Sequence, residues 1–194
     1  MIRVLVAGLG AGFGGVSRVI MNVLNNMPKD KFEFTVIETY DSAYHNEIID
    51  GGNKIVEIPP FKKYFKYKKA IKKLFECEKF DFVWINNTAK VDLIIMKYAK
   101  KHGVKVIWHS HGSVQEGGKL KGFVFELLNK INEKKFYRYL DYGIACSNSS
   151  AEYFYNKKYA KDNVIVMPNS IDCKQYVFSE KKRAKSTTEF NVHE

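Results

Sequence analysis

The chain has 194 residues, of which 45% are hydrophobic, and its formal net charge is +11. This length and apolar content predict one folded domain with a sizeable core, and they exclude a disordered chain. The positive charge predicts anionic partners: phosphorylated ligands, an acidic membrane surface or nucleic acid.

The three cysteines, Cys77, Cys146 and Cys173, have no spacing typical of a disulfide framework or a zinc site. Met1 leads directly into an apolar run, so we expect no signal peptide, and no apolar run is long enough to span a bilayer. We therefore expect a cytoplasmic protein. Peripheral attachment to the inner face of the plasma membrane is the open alternative.

The first eighteen residues predict a strand, a glycine-rich loop and a helix, in that order. The apolar run at residues 2–7 is typical of a strand buried on both faces, and five glycines follow within residues 8–15. Apolar residues at helical spacing then run from Val16 to Met27. Backbone N–H groups at the positive end of that helix would suit an anion, most often a phosphate. The alternative is that the glycines only form a tight turn.

The same loop also fits a dinucleotide fingerprint. Gly10, Gly12 and Gly15 have the spacing G-x-G-x-x-G. Glu38, at the end of the next apolar run, would then hold a ribose. This pattern alone is weak evidence.

Apolar runs bounded by turn residues predict six further strands, at 32–38, 54–58, 81–85, 104–108, 142–146 and 163–167. Helical patterns occupy 16–27, 43–50, 61–80, 91–101 and 123–140, and another helix follows Ser147; residues 115–121 are typical of a mobile loop. This alternation predicts an α/β domain, a Rossmann-like parallel sheet of about seven strands flanked by helices with right-handed crossovers.

The helix predicted at 61–80 is the most basic part of the chain. One stripe should pack on the sheet, namely Tyr64, Tyr67, Ile71, Leu74 and Phe75. Lysines should face outward, among them Lys62, Lys63, Lys66, Lys69 and Lys73. A solvated surface and a surface that lies against anionic lipid are both consistent with this pattern.

Polar or small residues follow the predicted strands at their carboxyl ends, where ligands of parallel α/β sheets bind. Besides the glycine loop and Glu38, these include Asn86, Asn87, His109, His111, Ser147 and Asn169. We expect them to line one crevice.

His109 and His111 should point to the same side of an extended segment. A metal site is disfavoured, because no cysteine or carboxylate nearby completes a ligand set. A hydrogen bond to a hydroxyl-rich ligand and a structural bond to backbone both remain open. Ser147 has its own alternative, a helix cap.

Four segments together resemble glycosyltransferase family 4, the large retaining group with the GT-B fold. Residues 14–18 (GGVSR) resemble the family's G-G-x-x-R, and residues 108–112 (WHSHG) its His-Ser-His segment in capsule and exopolysaccharide members. Residues 145–151 (ACSNSSA) are similar to its A-x-S segment, and residues 166–172 (VMPNSID) to its V-I-P-N-G-I-D. Ser170 departs from that last motif, where the family has glycine.

The resemblance implies two Rossmann-like domains with the active site between them. Gly14 and Gly15 would approach the diphosphate of a nucleotide-sugar donor, and Arg18 would belong to the same cleft. His111 would contact the donor sugar and help to stabilise the transition state. Neither a metal nor another cofactor is expected.

The resemblance also implies a domain division. Residues 1–172 would form the acceptor-side domain, and residues 173–194 would begin the linker to a nucleotide-sugar domain that these 194 residues do not include. We therefore expect little or no transferase activity from this chain alone.

Three hypotheses follow. The leading one is the acceptor-side domain of a retaining glycosyltransferase that acts on a lipid-linked saccharide in surface polysaccharide synthesis. The alternative is a nicotinamide- or flavin-dependent enzyme that uses Gly10, Gly12 and Gly15. A nucleic-acid binder is supported only by charge, so we expect no specific nucleic-acid partner.

Overall fold

A computed structural model describes residues 1–112, 119–155, 157–170, 177–180 and 183. Seven parallel strands form one sheet in the order β3-β2-β1-β4-β5-β6-β7. The strands are β1 (Ile2–Ala7), β2 (Phe32–Glu38), β3 (Lys54–Glu57), β4 (Phe82–Asn86), β5 (Lys105–Ser110), β6 (Tyr142–Ala145) and β7 (Val164–Val166). The predicted parallel sheet is confirmed.

Seven helices connect or follow these strands in the described part of the chain. They are α1 (Gly15–Asn26), α2 (His45–Asp50), α3 (Tyr64–Cys77), α4 (Ile94–Lys101), α5 (Lys119–Tyr139), α6 (Asn148–Tyr155) and α7 (Lys157–Asn163). Of the loop predicted at 115–121, residues 115–118 lie outside the described residues and the rest begin α5. Most of the predicted linker, together with residues 171 and 172, also lies outside them.

Two elements differ from the sequence prediction in ways that affect the site. The basic helix α3 begins three residues later than predicted, because the Lys63 N–H donates to the Pro60 carbonyl in a turn. Strand β5 runs two residues further than predicted, and Ser110 pairs with Ala145. His109 is therefore a strand residue.

The core lies on both faces of the sheet, which explains why the strands are apolar throughout rather than alternating. On one face, Leu5 and Val83 pack with α3, α4 and the later helices. On the other face, Val4 and Val6 pack with α1 and α2. Burial of each such side chain is worth about 1.5–3 kcal/mol, so β1 holds the two layers together.

Candidate functional site

The strand order reverses direction between β1 and β4, which is the switch point where ligands of such sheets bind. A cleft of about 440 Å³ opens there, at the carboxyl ends of these two strands. One wall is the glycine loop, and the other consists of Asn86, Asn87 and Thr88. The glycine loop and the Asn86–Asn87 pair, two parts of the predicted crevice, therefore line the same cleft.

Gly8 is the glycine that the fold itself requires. Its φ is +105°, a conformation that side chains with Cβ rarely adopt, and an added Cβ would overlap the carbonyl oxygen of Asn86. The end of β1 can approach β4 this closely only without a side chain.

Gly12, Gly14 and Gly15 serve a different purpose. An added Cβ at any of the three would meet no other atom within 4 Å, so packing does not demand glycine there. All three line the cleft. Their missing side chains keep its wall open and expose backbone that a ligand can approach.

The first turn of α1 faces this cleft without a cap. Gly14 is the N-cap residue and makes no side-chain capping bond, and no acidic residue occupies the first turn. The N–H groups of this turn therefore remain available to an external acceptor, and the helix dipole adds partial positive charge. The arrangement suits an anion.

Two serines that the sequence analysis missed hold the loop in place. The buried Ser17 hydroxyl accepts a hydrogen bond from the Gly10 N–H at 3.2 Å. The Ser42 hydroxyl donates to the Gly10 carbonyl at 3.3 Å. The sequence does hold one signal of this role: Ser17 is a polar residue on the apolar face of a predicted helix.

Arg18 does not line the cleft. Its guanidinium lies over the ring of Tyr44, 5.6 Å from the ring centroid, and Phe13 packs edge-on against the same ring. In this structure Arg18 supports the base of the loop through a cation–π contact.

Asn86 connects the cleft wall to the histidines. Its side-chain amide donates to the Ala7 carbonyl at 3.3 Å, so its Oδ1 is the acceptor for His111 Nε2 at 2.8 Å. His111 therefore carries its proton on Nε2. Its Nδ1 is buried and has no hydrogen-bond partner among the described residues. His111 stands behind Asn86 and does not itself line the cleft.

His109 and His111 lie on the same side of β5, as predicted, with ring centroids 4.0 Å apart. His109 is fully buried and stacks on Trp84. Burial lowers the pKa of His109 to about 3, with a smaller contribution from His111, and lowers the pKa of His111 to about 4. Both rings are neutral at pH 7.

In the described part of the chain, which leaves out residues 113–118, buried side chains close the carboxyl ends of β5 and β6. The buried hydroxyls of Ser110 and Ser150 lie 3.1 Å apart, and Ser150 also reaches the Gly112 carbonyl. Ser147 accepts a hydrogen bond from the Ser150 N–H at 3.1 Å, so it caps α6. Ser147 is exposed, but it does not line the glycine-loop cleft.

Asn169 lies in a separate pocket, against α1. That pocket lies between the segment 167–170 and α1 residues such as Asn22, whose side chain donates to the Ser170 carbonyl. The structure thus brings Gly14, Gly15, Asn86 and Asn87 together at one cleft.

Glu38, the ribose ligand of the dinucleotide alternative, is already engaged. One carboxylate oxygen accepts from the Ser42 N–H at 3.1 Å, and the other lies 2.8 Å from His45 Nδ1. This hydrogen bond raises the pKa of His45. Asp41 lies close to the same pair, in the one group of potential metal ligands found among the described residues.

The five lysines selected on α3 and its N-terminal turn are all exposed. Tyr67, Ile71, Leu74 and Phe75 form the buried stripe as predicted, whereas Tyr64 is 43% exposed. Phe65 is 85% exposed among the lysines. Among the described residues, no helix is both long and apolar enough to cross a bilayer.

The sequence model of the family Glycosyltransferase Family 4 matches residues 13–175, which is most of the chain. The chain belongs to this family. The match includes the cleft residues from Gly14 to Asn87, but it assigns no role to them. No curated protein matches the sequence significantly.

Solved structures agree on the fold. Anabaena Alr3699/HepE, in complex with UDP and glucose, has a TM-score of 0.73 and 14% identity, covering 98% of this chain and 50% of that one. MurG from Acinetobacter baumannii has a TM-score of 0.60 and 13% identity, covering 89% of this chain and 46% of that one. UDP-GlcNAc 2-epimerase from Neisseria meningitidis, bound to UDP-GlcNAc, has a TM-score of 0.62 and 12% identity, covering 100% of this chain and 55% of that one.

The family 4 chain therefore has the fold of the N-terminal half of GT-B enzymes. It spans about half the length of these solved structures. Because an epimerase shares this fold, the fold alone does not select the reaction.

Proposed function

We propose that this chain is the acceptor-side domain of a retaining glycosyltransferase. The enzyme would move a sugar from a nucleotide-sugar donor to a lipid-linked saccharide in surface polysaccharide synthesis. The observation that carries the proposal is the open cleft at the switch point, where three glycines without packing constraints meet the uncapped start of α1. This is a site for a diphosphate, and family membership supports the transfer chemistry.

Gly14 and Gly15 would approach the donor diphosphate through their backbone. Gly15→Ala tests this, because the new methyl group enters the cleft without touching the fold. We expect UDP, titrated into the chain and followed by calorimetry, to bind about tenfold more weakly to this variant.

Ser149→Ala, in the exposed first turn of α6, is the matched control and should leave UDP affinity unchanged. Equal UDP affinity for Gly15→Ala and the unmodified chain would refute the assignment of the loop.

His111 is proposed to act on the donor sugar, with Asn86 fixing its ring orientation. The neutral ring donates its Nε2 proton to Asn86, and its Nδ1 is buried without a partner among the described residues, so the ring must turn toward the cleft before Nδ1 can accept from a sugar hydroxyl. His111→Ala should therefore abolish any preference for UDP-glucose over UDP while leaving UDP affinity itself intact. A preference that survives the substitution would contradict this role.

The lipid part of the proposal is supported by the lysines of α3 and the exposed Phe65. Each lysine near an anionic surface contributes about 1 kcal/mol at low salt. Reversing Lys66, Lys69 and Lys73 to glutamate should abolish sedimentation with phosphatidylglycerol vesicles. Reversing three exposed lysines of α7, Lys157, Lys158 and Lys161, is the matched control. Equal losses in both variants would indicate bulk charge rather than a membrane-facing helix.

The dinucleotide alternative is less well supported, since both carboxylate oxygens of Glu38 have partners within the fold. Thermal unfolding with UDP and with NAD separates the two. We expect UDP alone to raise the melting temperature. A rise with NAD alone would favour the alternative.

A further inference from the structure

A second cavity, of about 510 Å³, lies at the carboxyl ends of β2 and β3. These strands are on the other side of β1 from the switch point. The residues 38–41, His45 and the segment that follows β3 line the cavity, and none of them lines the glycine-loop cleft. The cavity is therefore distinct from the proposed diphosphate site.

Three metal-ligating side chains converge in this cavity. One ligand atom from each of Glu38, Asp41 and His45 lies within 4.8 Å of the other two. His45 Nδ1 and Glu38 Oε2 are 2.8 Å apart. Neighbouring ligands at about 2.1 Å from one ion are themselves roughly 3 Å apart, so an ion can replace the proton that these two atoms share.

All three side chains belong to one short segment, residues 38–45. Glu38 is the last residue of β2, and His45 is the first residue of α2. Glu38 is only 6% exposed, and its other carboxylate oxygen accepts from the Ser42 N–H at 3.1 Å. This hydrogen bond fixes the carboxylate, whereas the more exposed Asp41 and His45 can close on an ion from the solvent side.

The charge of the cavity favours a cation. Glu57 lies opposite Glu38 in the register of β2 and β3 and lines the same cavity, so it adds a third carboxylate. Lys63 also lines the cavity, but within the described residues no lysine or arginine forms an ion pair with these carboxylates. Negative charge is thus concentrated here in a chain whose net charge is +11.

The ligand types select the class of ion. Imidazole nitrogen suits transition metals such as zinc, whereas Mg²⁺ and Ca²⁺ prefer oxygen ligands alone. We propose that Glu38, Asp41 and His45 bind a divalent transition-metal ion that braces the glycine loop. The ion is structural, and it takes no part in the metal-free sugar transfer expected from the sequence.

The ligand segment also holds the glycine loop. The Ala43 N–H donates to the Ala11 carbonyl at 2.8 Å, and the Ser42 hydroxyl donates to the Gly10 carbonyl at 3.3 Å. Both donors lie between the second and the third ligand in the sequence. An ion that ties these two ligands together therefore also fixes the residues that hold the loop.

The test uses the untagged chain, freed of metal with a chelator, and Zn²⁺ alone as the probe. Calorimetry measures Zn²⁺ affinity. Co²⁺ in place of Zn²⁺ identifies the ligands by its absorption spectrum and by the amide NMR signals that it broadens. His45→Ala removes the imidazole, and Asp41→Asn removes one charge at constant size. His102→Ala and Asp50→Asn, at exposed positions at the ends of α4 and α2, are the matched controls.

We expect saturable Zn²⁺ binding, at least about tenfold weaker in His45→Ala and in Asp41→Asn, because even the partners of metal ligands are worth that much. The two controls should match the unmodified chain. Co²⁺ should broaden the amides of residues 38–45 without thiolate absorption. Failure of Zn²⁺ to bind, equal Zn²⁺ affinity for His45→Ala and the unmodified chain, or a Co²⁺ spectrum of cysteine ligation would overturn the inference.

Hydrogen exchange of the Ala43 N–H measures the bracing of the loop. Saturating Zn²⁺ should slow this exchange at least about fivefold in the unmodified chain and leave it unchanged in His45→Ala. Zn²⁺ binding with no change in the exchange rate would overturn the bracing role. Neither measurement uses a nucleotide, so the outcome is independent of the proposed diphosphate cleft.

Discussion

The carboxyl ends of two neighbouring strand pairs differ sharply in this domain. Between β1 and β4, the glycine loop and Asn86–Thr88 leave a cleft of about 440 Å³. Between β5 and β6, the Ser110 and Ser150 hydroxyls and the fully buried His109 close the same edge of the sheet. Polar sequence follows the strands in both places.

Topology explains the difference. At the switch point the connections from β1 and β4 leave toward opposite faces of the sheet, so no helix covers the gap between the two strands. At β5 and β6 the following helix α6 packs back on the strand ends through Ser150. The polar residues at the ends of β1 and β4 thus line a cleft because the chain paths diverge there.

Gly8→Ala should have the largest effect, because it attacks the contact that shapes the open end. The positive φ and the overlap with the Asn86 carbonyl should together cost more than about 3 kcal/mol of unfolding free energy. Urea unfolding measures this. Gly15→Ala should change stability by less than about 1 kcal/mol, since it replaces a helical glycine beside open space. Similar stability for both variants would show that Gly8 has no special role.

Lys90→Ala tests the packing behind the closed end. This buried lysine places its ammonium 5.0 Å from the ring of Phe136 and 4.9 Å from the ring of Phe154, and its backbone N–H donates to Asn129. Alanine keeps the backbone hydrogen bond to Asn129 but loses the side-chain contacts with the two rings, which should cost about 2–3 kcal/mol.

Lys90→Met is the control for Lys90→Ala. It fills most of the space without a buried charge, so urea unfolding should show a cost of less than about 1 kcal/mol. Equal costs for alanine and methionine would attribute the whole effect to the charge rather than to packing.

A further effect should appear as a pH dependence of stability. The folded-state pKa values of His109 and His111, about 3 and about 4, lie below the value of about 6.5 for an unfolded histidine. Between these limits the unfolded chain binds protons that the folded chain does not, so the free energy of unfolding should fall as the pH drops from 6.5. Above pH 6.5 this contribution is complete.

NMR titration of the ring resonances checks the two histidines directly. His109→Phe, which keeps a ring against Trp84, should weaken the pH dependence of urea unfolding below pH 6.5. A His109 ring that titrates near 6.5 would contradict the closed packing of this end.

The sequence alone predicts the layered α/β fold, because strands buried on both faces and amphipathic helices leave a clear pattern. It also predicts the glycine loop as an anion site. It misplaces the end of β5, since His109 and Ser110 read as polar loop residues although ring stacking and a serine pair bury them. The place of the Arg18 side chain is likewise set by the tertiary fold, since its guanidinium lies over the ring of Tyr44, 26 residues away.

Side-chain pairs that come into contact only through the tertiary fold cannot be predicted from the sequence. Tyr67, in α3, and Asp92, just before α4, lie 25 residues apart, and nothing in their local patterns joins them. Only the packing of α3 beside α4 places the hydroxyl on the carboxylate.

The most direct test of the central claim is an amide NMR titration of the chain with UDP. We expect the largest shifts at the amides of residues 12–16, with smaller ones at Asn87 and Thr88 across the cleft. The amides of residues 147–151, at the closed end, should not move. Shifts confined to that closed end, or none at the glycine loop under saturating UDP, would contradict the claim that the start of α1 is the diphosphate site.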